Sequence, residues 1–237
     1  MVSQKGLSLE EINRQVITCS KCPRLVEFRV KVAGTKARFR GEPYWSKPVP
    51  GYGDPLARIV VVGLAPAPHG GNRTGRVFTG DETANNLMRA LYSVGLANQP
   101  YSVNRMDGLR LRGVYLTAAV KCAPPDNRPL ASEVRNCMEY LVEELRALRE
   151  ARVYVALGSI AWGSLLEALS KAFAIGALPK TRFRHGLKLK FDLDNETRWL
   201  IASYHPSPRN VRTGLLTIDM LVSIFREAAR LAGINRG

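Results

Sequence analysis

Four short, almost wholly apolar runs punctuate the chain, and each is followed at some distance by a stretch of helical character. They are "RIVVVG" (58–63), "GVYLTAAV" (113–120), "RVYVALG" (152–158) and "RWLIAS" (198–203). Runs this short, with little polar alternation, fit strands covered on both faces. Residues 81–94 place Leu87, Leu91 and Val94 on one helical face, and 131–149, 159–171 and 213–231 read as further helices. This alternation constrains the fold strongly, because parallel strands need a crossover, usually a helix, packed on the sheet. The expectation is an α/β layered fold around a mainly parallel, four-stranded sheet. Residues 188–191 read as an additional short edge strand, and residues 24–57, rich in Gly, Pro and Arg, as a long surface excursion. In such sheets, sites form beyond the carboxyl ends of the strands, so the loops after Gly63, Val120, Gly158 and Ser203 should share one edge.

A length of 237 residues is read as one domain, 1–237, with no internal repeat or low-complexity linker. The longest apolar runs are too short to span a bilayer. The opening "MVSQKGLSLEEINRQ" lacks the apolar segment of a secretory signal, so an intracellular protein is expected. A net charge of +15 is spread along the chain. A folded basic surface usually faces nucleic acid, less often an anionic membrane or an acidic partner.

Four cysteines stand as C-x2-C (Cys19, Cys22) and C-x14-C (Cys122, Cys137). An intracellular chain is not expected to pair them as disulfides. The "CSKC" pair is a tight chelate, and four thiolates suit either structural zinc or an iron–sulfur cluster. Spacing alone leaves the two open.

The segment "GGNRTGRVFTGDETANN" (70–86) has the strand–glycine loop–helix setting of a phosphate cradle. Against G-x-x-x-x-G-K-[ST], however, Arg76 replaces the phosphate-reaching Lys and Val77 the magnesium-binding hydroxyl. The other reading is that these glycines let the backbone approach a flat ligand, with Phe78 available to stack on it. Downstream, "SYHPSPRN" (203–210) ends a strand with His205, held in extended backbone by the proline after it. His69 and His185 lack that setting and read as surface residues.

Together these segments resemble the uracil-DNA glycosylase superfamily, most closely its family 5 (type B). The resemblance covers nearly the whole chain and rests on "CSKC", "GLAPAPHGGNRTGRVFTGD", "CAPPDNRP" with Cys137 beyond it, and "HPSPRN". Where the superfamily usually carries a polar residue for the attacking water, this chain has Leu64 and Ala65, and that departure points to family 5. The resemblance implies a three-layer α/β/α fold and a [4Fe–4S] cluster on Cys19, Cys22, Cys122 and Cys137. It also implies a DNA repair enzyme, monofunctional, that flips uracil out of DNA and hydrolyses its N-glycosidic bond. Hypoxanthine and other deaminated or damaged bases are further substrates on this view. Phe78 would sandwich the base against the Gly63–Ala65 backbone, Asn127 would contact it, and His205 would donate to its O2. Asp81 would orient water or stabilise the sugar cation. Ser207, Arg209 and Asn210 would contact DNA, with their loop available as a minor-groove wedge. The implied partner is uracil-containing DNA, double- or single-stranded, met by a nucleoid-associated monomer with no membrane contact.

Blander readings compete. Phe78 fits an ordinary core position, Asn127 an Asx turn, and Arg209 a solvated loop. Thr79 and Glu82 match a T-x-x-E capping box, which would put Asp81 in the first helical turn with no catalytic duty. The alternative functions are a non-catalytic, metal-containing nucleic-acid-binding protein and a nucleotide-binding enzyme using Gly70–Gly75.

Overall fold

The four apolar runs become strands buried at every position, β2 (Ile59–Gly63), β3 (Val114–Ala118), β4 (Val153–Leu157) and the end of β6 (Glu196–Ser203). The computed structural model describes residues 6–176, 178–179 and 181–235. The outermost parts of the expected 1–237 domain, residues 1–5 and 236–237, lie outside the described residues. The four strands run parallel in the order β3-β2-β4-β6. Their register pairs Gly63 with Ala118 and Leu157 with Ser203, so the carboxyl ends finish level on one edge, as expected.

The period of two sorts each strand between two cores. Ile59, Val61, Val114, Leu116, Val153 and Val155 face one side, under α4 (Glu82–Ser93) and α8 (Ile218–Leu231). Val60, Val62, Tyr115, Tyr154 and Ala156 face the other, under α5 (Ala131–Ala147) and α6 (Ser159–Phe173). The three-layer α/β/α arrangement is therefore present. Burying each large aliphatic side chain contributes roughly 1.5–3 kcal/mol.

Among the described residues the sheet has six strands rather than four, and it is mixed. A two-residue edge strand, β1 (Tyr52–Gly53), pairs antiparallel with β3, and β5 (Lys188–Leu193) pairs antiparallel with β6. The segment expected at 188–191 thus extends to Leu193. Asp194 and Asn195, both at positive φ (51° and 61°), make the tight turn into β6. The closing helix also differs from expectation. It begins at Ile218 as α8 rather than at Thr213, because Gly214 takes a φ of 73°, and a separate short helix, α7 (Pro208–Arg212), precedes it.

Two α-helices precede β1, and the second occupies the start of the 24–57 stretch expected as a surface excursion. Ser8 and Glu11 form a reciprocal capping box for α1 (Leu9–Thr18), and Pro23 opens α2 (Pro23–Lys31). Ile12 and Val16 pack on Tyr140 of α5, while Leu25 packs beside Val120, Cys122 and Cys137. Behind Cys122 lies an ion pair removed from water. Lys121 Nζ contacts Glu144 Oε2 at 2.7 Å and Thr117 Oγ1 at 2.6 Å, with Lys121 and Glu144 1% and 0% exposed. No described helix is long and apolar enough to cross a membrane.

Candidate active site

The cleft opens where the parallel strands end. Beyond β2 the backbone continues as "LAPAP", and the Gly63 and Leu64 carbonyls accept from Ala119 N–H and Val120 N–H, each at 2.9 Å. Against this segment lies a cavity of about 410 Å³, whose walls include Leu64, Ala65, Phe78, Asp81, Asn127 and His205, with Ser207 beside them. Residues from the loops after β2, β3 and β6 thus converge on it, while the expected loop after Gly158 contributes none of its lining.

The glycine-rich loop admits side chains rather than phosphate. Phe78 adopts a φ of 49°, rare for a bulky residue, and its ring lies on Gly63. A Cβ at position 63 would come within 2.5 Å of Phe78 Cζ. At Gly70 a Cβ would overlap Asp81 Oδ2. Arg76, the residue standing at the Walker lysine position, is buried and spends its guanidinium on both carboxylate oxygens of Asp107, at 2.7 and 2.9 Å. The nucleotide-binding reading finds no support in this arrangement.

Asp81 requires a correction to the expected capping box. Thr79 is fully buried and its hydroxyl engages Arg76 Nε (2.9 Å) and Ser102 Oγ (2.7 Å), too far back to cap α4. Glu82 turns instead to Arg212, at 2.6 Å. Asp81 is itself the N-cap, with Oδ1 accepting from Ala84 N–H at 2.8 Å, and it lines the cavity at the same time. Burial raises its carboxyl above the usual range, against the lowering influence of the Ala84 and Thr83 amides and of Arg73.

Asn127 sits in the turn Pro125–Asn127, where Asp126 and Asn127 both take positive φ (54° and 55°). Asp and Asn tolerate that backbone better than other side-chain-bearing residues. Asn127 is exposed and stands at the cavity wall. His205 leaves β6 with its carbonyl held by Asn210 Nδ2 at 2.8 Å, and the next carbonyl, of Pro206, is held by Asn86 Nδ2 at 3.1 Å. Burial pushes the imidazole down to about 4, so it is neutral at pH 7. Ser207 caps α7 by accepting from Asn210 N–H at 3.3 Å, and Arg209 is exposed. The other two histidines are not plain surface residues. His69 Nδ1 pairs with the Tyr44 hydroxyl at 2.8 Å, and His185 Nδ1 accepts from Tyr204 N–H at 3.1 Å.

The cysteines line a second, separate pocket. Cys19 ends α1 and Cys22 begins α2, so the corner between two helices presents both thiols. Cys122 follows β3 and Cys137 lies within α5. Arg29 Nη1 donates to Cys122 Sγ at 3.1 Å, and Asn136 Nδ2 to Cys22 Sγ at 3.4 Å. Burial raises the Cys122 and Cys137 thiols to about 11 and about 12, so without a metal they stay protonated at neutral pH. Among the described residues, no three His, Cys, Asp or Glu side chains are grouped to hold a single ion. Four thiols around one pocket, with donors aimed at two sulfurs, fit a centre that places negative charge on them.

The family model described as the uracil DNA glycosylase superfamily matches residues 50–229. The chain belongs to this superfamily. It is 50% identical over 223 residues to the type-5 uracil-DNA glycosylase of Pyrobaculum aerophilum, covering 94% of this chain and 92% of that protein. The type-5 enzyme of Thermus thermophilus is also 50% identical, over 95% of this chain and 99% of its own. The type-4 uracil-DNA glycosylase of Archaeoglobus fulgidus is 31% identical, over 95% and 94%. The type-5 resemblance carried by the motifs is borne out.

Sequence reasoning missed three supports within this glycosylase fold. Asn86 and Asn210 fix the His205–Pro206 backbone, but nothing near them in the chain shows that Asn86 reaches across to Pro206. The Asn210 amide is engaged inside the protein rather than turned wholly to solvent. Arg29 was legible only as one more basic residue, yet its side chain holds Cys122 and its carbonyl accepts from Asn72 Nδ2, at 2.9 Å, in the short helix α3 (Gly71–Thr74).

Proposed function

We propose that this chain is a monofunctional DNA glycosylase that removes uracil from DNA by direct attack of water and leaves an abasic site. The observation that carries the reading is the convergence of Phe78, Asn127, Asp81 and His205 on one cavity at the carboxyl edge of the sheet. Nearly full-length similarity to type-5 uracil-DNA glycosylases supports it.

A base inside a duplex is out of reach, so the nucleotide must be flipped out, at a cost of roughly a few kcal/mol. The basic surface, Arg209 included, offsets part of that cost by binding phosphates. The extruded base stacks on Phe78 over the Gly63–Ala65 backbone, and Asn127 hydrogen-bonds its edge. As the N-glycosidic bond breaks, its electron pair moves onto the base, and the neutral His205 ring donates to O2 where charge collects. The carboxylate of Asp81 faces the sugar, stabilises the developing cation and takes the proton as water oxygen bonds to C1′. With small apolar residues at 64 and 65, the cavity leaves room for hypoxanthine as well as uracil. The decisive assay incubates the protein with duplexes bearing G·U, A·U or G·hypoxanthine, followed by alkaline cleavage. Absence of strand scission on all three would reject the reading in favour of a non-catalytic nucleic-acid-binding protein.

Asp81→Asn separates capping from chemistry. Asparagine caps a helix as well as aspartate does, so stability should stay nearly constant while single-turnover excision falls at least about tenfold. Full activity would leave Asp81 as a cap only.

Cys19, Cys22, Cys122 and Cys137 are proposed to hold a [4Fe–4S] cluster, whose contribution here is to cross-link α1 and α2 to the region after β3. Purified protein should be brown and contain about four irons per chain. A colourless, zinc-loaded protein with full activity would overturn the assignment.

A further inference from the structure

The connection from α4 to β3 is far longer than its endpoints need. It occupies residues 94–113, whereas helix-to-strand connections in α/β folds commonly take about two to six residues. Its course explains the length. Ala97 bridges to Leu111, Arg112 N–H donates to the Leu96 carbonyl at 3.0 Å, and Asn98 N–H to the Arg110 carbonyl at 3.1 Å. The connection is therefore a hairpin-like excursion that runs back along α4 to the edge where the cleft opens.

Its tip is fastened there. Gly80 N–H, one residue before Asp81, donates to the Ser102 carbonyl at 2.8 Å. Asp107 takes the buried Arg76 guanidinium and also accepts from Val103 N–H (2.7 Å) and Leu109 N–H (3.1 Å). A loop pinned from beneath by an ion pair and several amides is rigid. Yet it turns its apolar side chains outward, with Met106 91%, Val103 51% and Tyr101 48% exposed. Arg105 between them lies over the Trp45 ring, 4.8 Å from its centroid. A stiff loop with outward apolar groups and a cation, seated beside a cavity, is built to touch something.

We propose that the 101–107 tip is a second DNA-contacting element, in which Met106 and Val103 press against the base stack of the duplex flanking the extruded nucleotide. The partner is double-stranded DNA, for three reasons on the molecule. The chain carries a net charge of +15, the tip adjoins the Asp81 wall of the cleft, and Arg105 supplies a cation beside the apolar groups. Extrusion leaves a gap in the stack, and apolar side chains inserted against unstacked base steps are a known way to hold such a distortion. Nothing assigned to Ser207, Arg209 or Asn210 is needed for this contact.

The proposal rests on the glycosylase reading for its chemistry, and the test keeps the two apart. Met106→Ala and Val103→Ala/Met106→Ala change outward side chains only and should fold as the parent does, as thermal melting would verify. Affinity for a duplex with a central abasic site and single-turnover excision from duplex and single-stranded uracil oligonucleotides are then compared. The double variant should lose about tenfold in duplex affinity, the scale of one apolar stacking contact. Its loss on duplex excision should exceed that on the single strand by at least about fivefold. Parental duplex affinity would overturn the proposal and leave the tip as a docking site for another protein. Equal losses on both substrates would also overturn it. If the parent releases no uracil at all, the glycosylase reading fails, while the duplex affinities still decide the role of the tip.

Discussion

Replacing His205 by alanine is expected to lower single-turnover uracil excision by roughly 10²–10³, the range for removing one oxyanion donor. Duplex affinity should change far less. The expectation follows from the state of the ring. Burial holds it near 4, so at neutral pH it carries no charge that would attract phosphate, and its N–H is free to meet a developing negative oxygen. The sign of the pH dependence follows too. Since the folded value lies below the ordinary 6.5, the unfolded chain binds the proton more readily, and stability declines as pH falls from about 6.5 towards about 4. Above about 5 the folded ring stays neutral, and burial raises the Asp81 carboxyl above the usual carboxylate range, so an acid limb in the excision rate is expected from Asp81. That limb should vanish in Asp81→Asn and persist in whatever activity His205→Ala retains. Equal losses of binding and rate in His205→Ala would make the histidine structural.

The largest effect on stability should come from Lys121 and Glu144. Removing either partner strands a charge that is sealed from water, at a cost of about 3–5 kcal/mol. Lys121→Met and Glu144→Gln should each show it as a lower denaturation midpoint. Changing both together, to Met and Leu, should recover much of the loss, because no unpaired charge remains. Thr117 limits the recovery, since its hydroxyl donates to Glu144 Oε2 at 2.8 Å and would lose that acceptor. Single variants near the parental midpoint, with simple addition in the double, would mean that water reaches the pair.

Legibility followed the range of the interactions. Strands β2, β3 and β4 stood out because every residue of each is buried, which leaves an unbroken apolar run. Strand β1 left no such mark, since two residues carry no period. The S-x-x-E box at Ser8–Glu11 was a local signal for α1, overshadowed by the Gly- and Pro-rich stretch after it. At the cleft, motif residues could be named, but their neighbours could not. Arg76 looked like a defective phosphate lysine until its partner, Asp107, was seen to come from a different loop. Thr79 and Asp81 are both good capping residues by type, and only Ser102, distant in the chain, decides between them by engaging the threonine.

The corner between α1 and α2 also bears on how the protein is made. Cys19 and Cys22 leave the ribosome before the other two thiols of their pocket, which lie beyond β3 and within α5. At roughly 5–20 residues per second, the first pair waits on the order of ten seconds for Cys137 to be synthesised. Through that interval α1 lacks Tyr140, the aromatic it packs against, and Arg29 lacks the sulfur it will hold. Helices α1 and α2, translated before their partners, thus find their place late. The four-thiol pocket can close only after the loop between Cys22 and Cys122 has been drawn together, which makes its completion a late step in maturation.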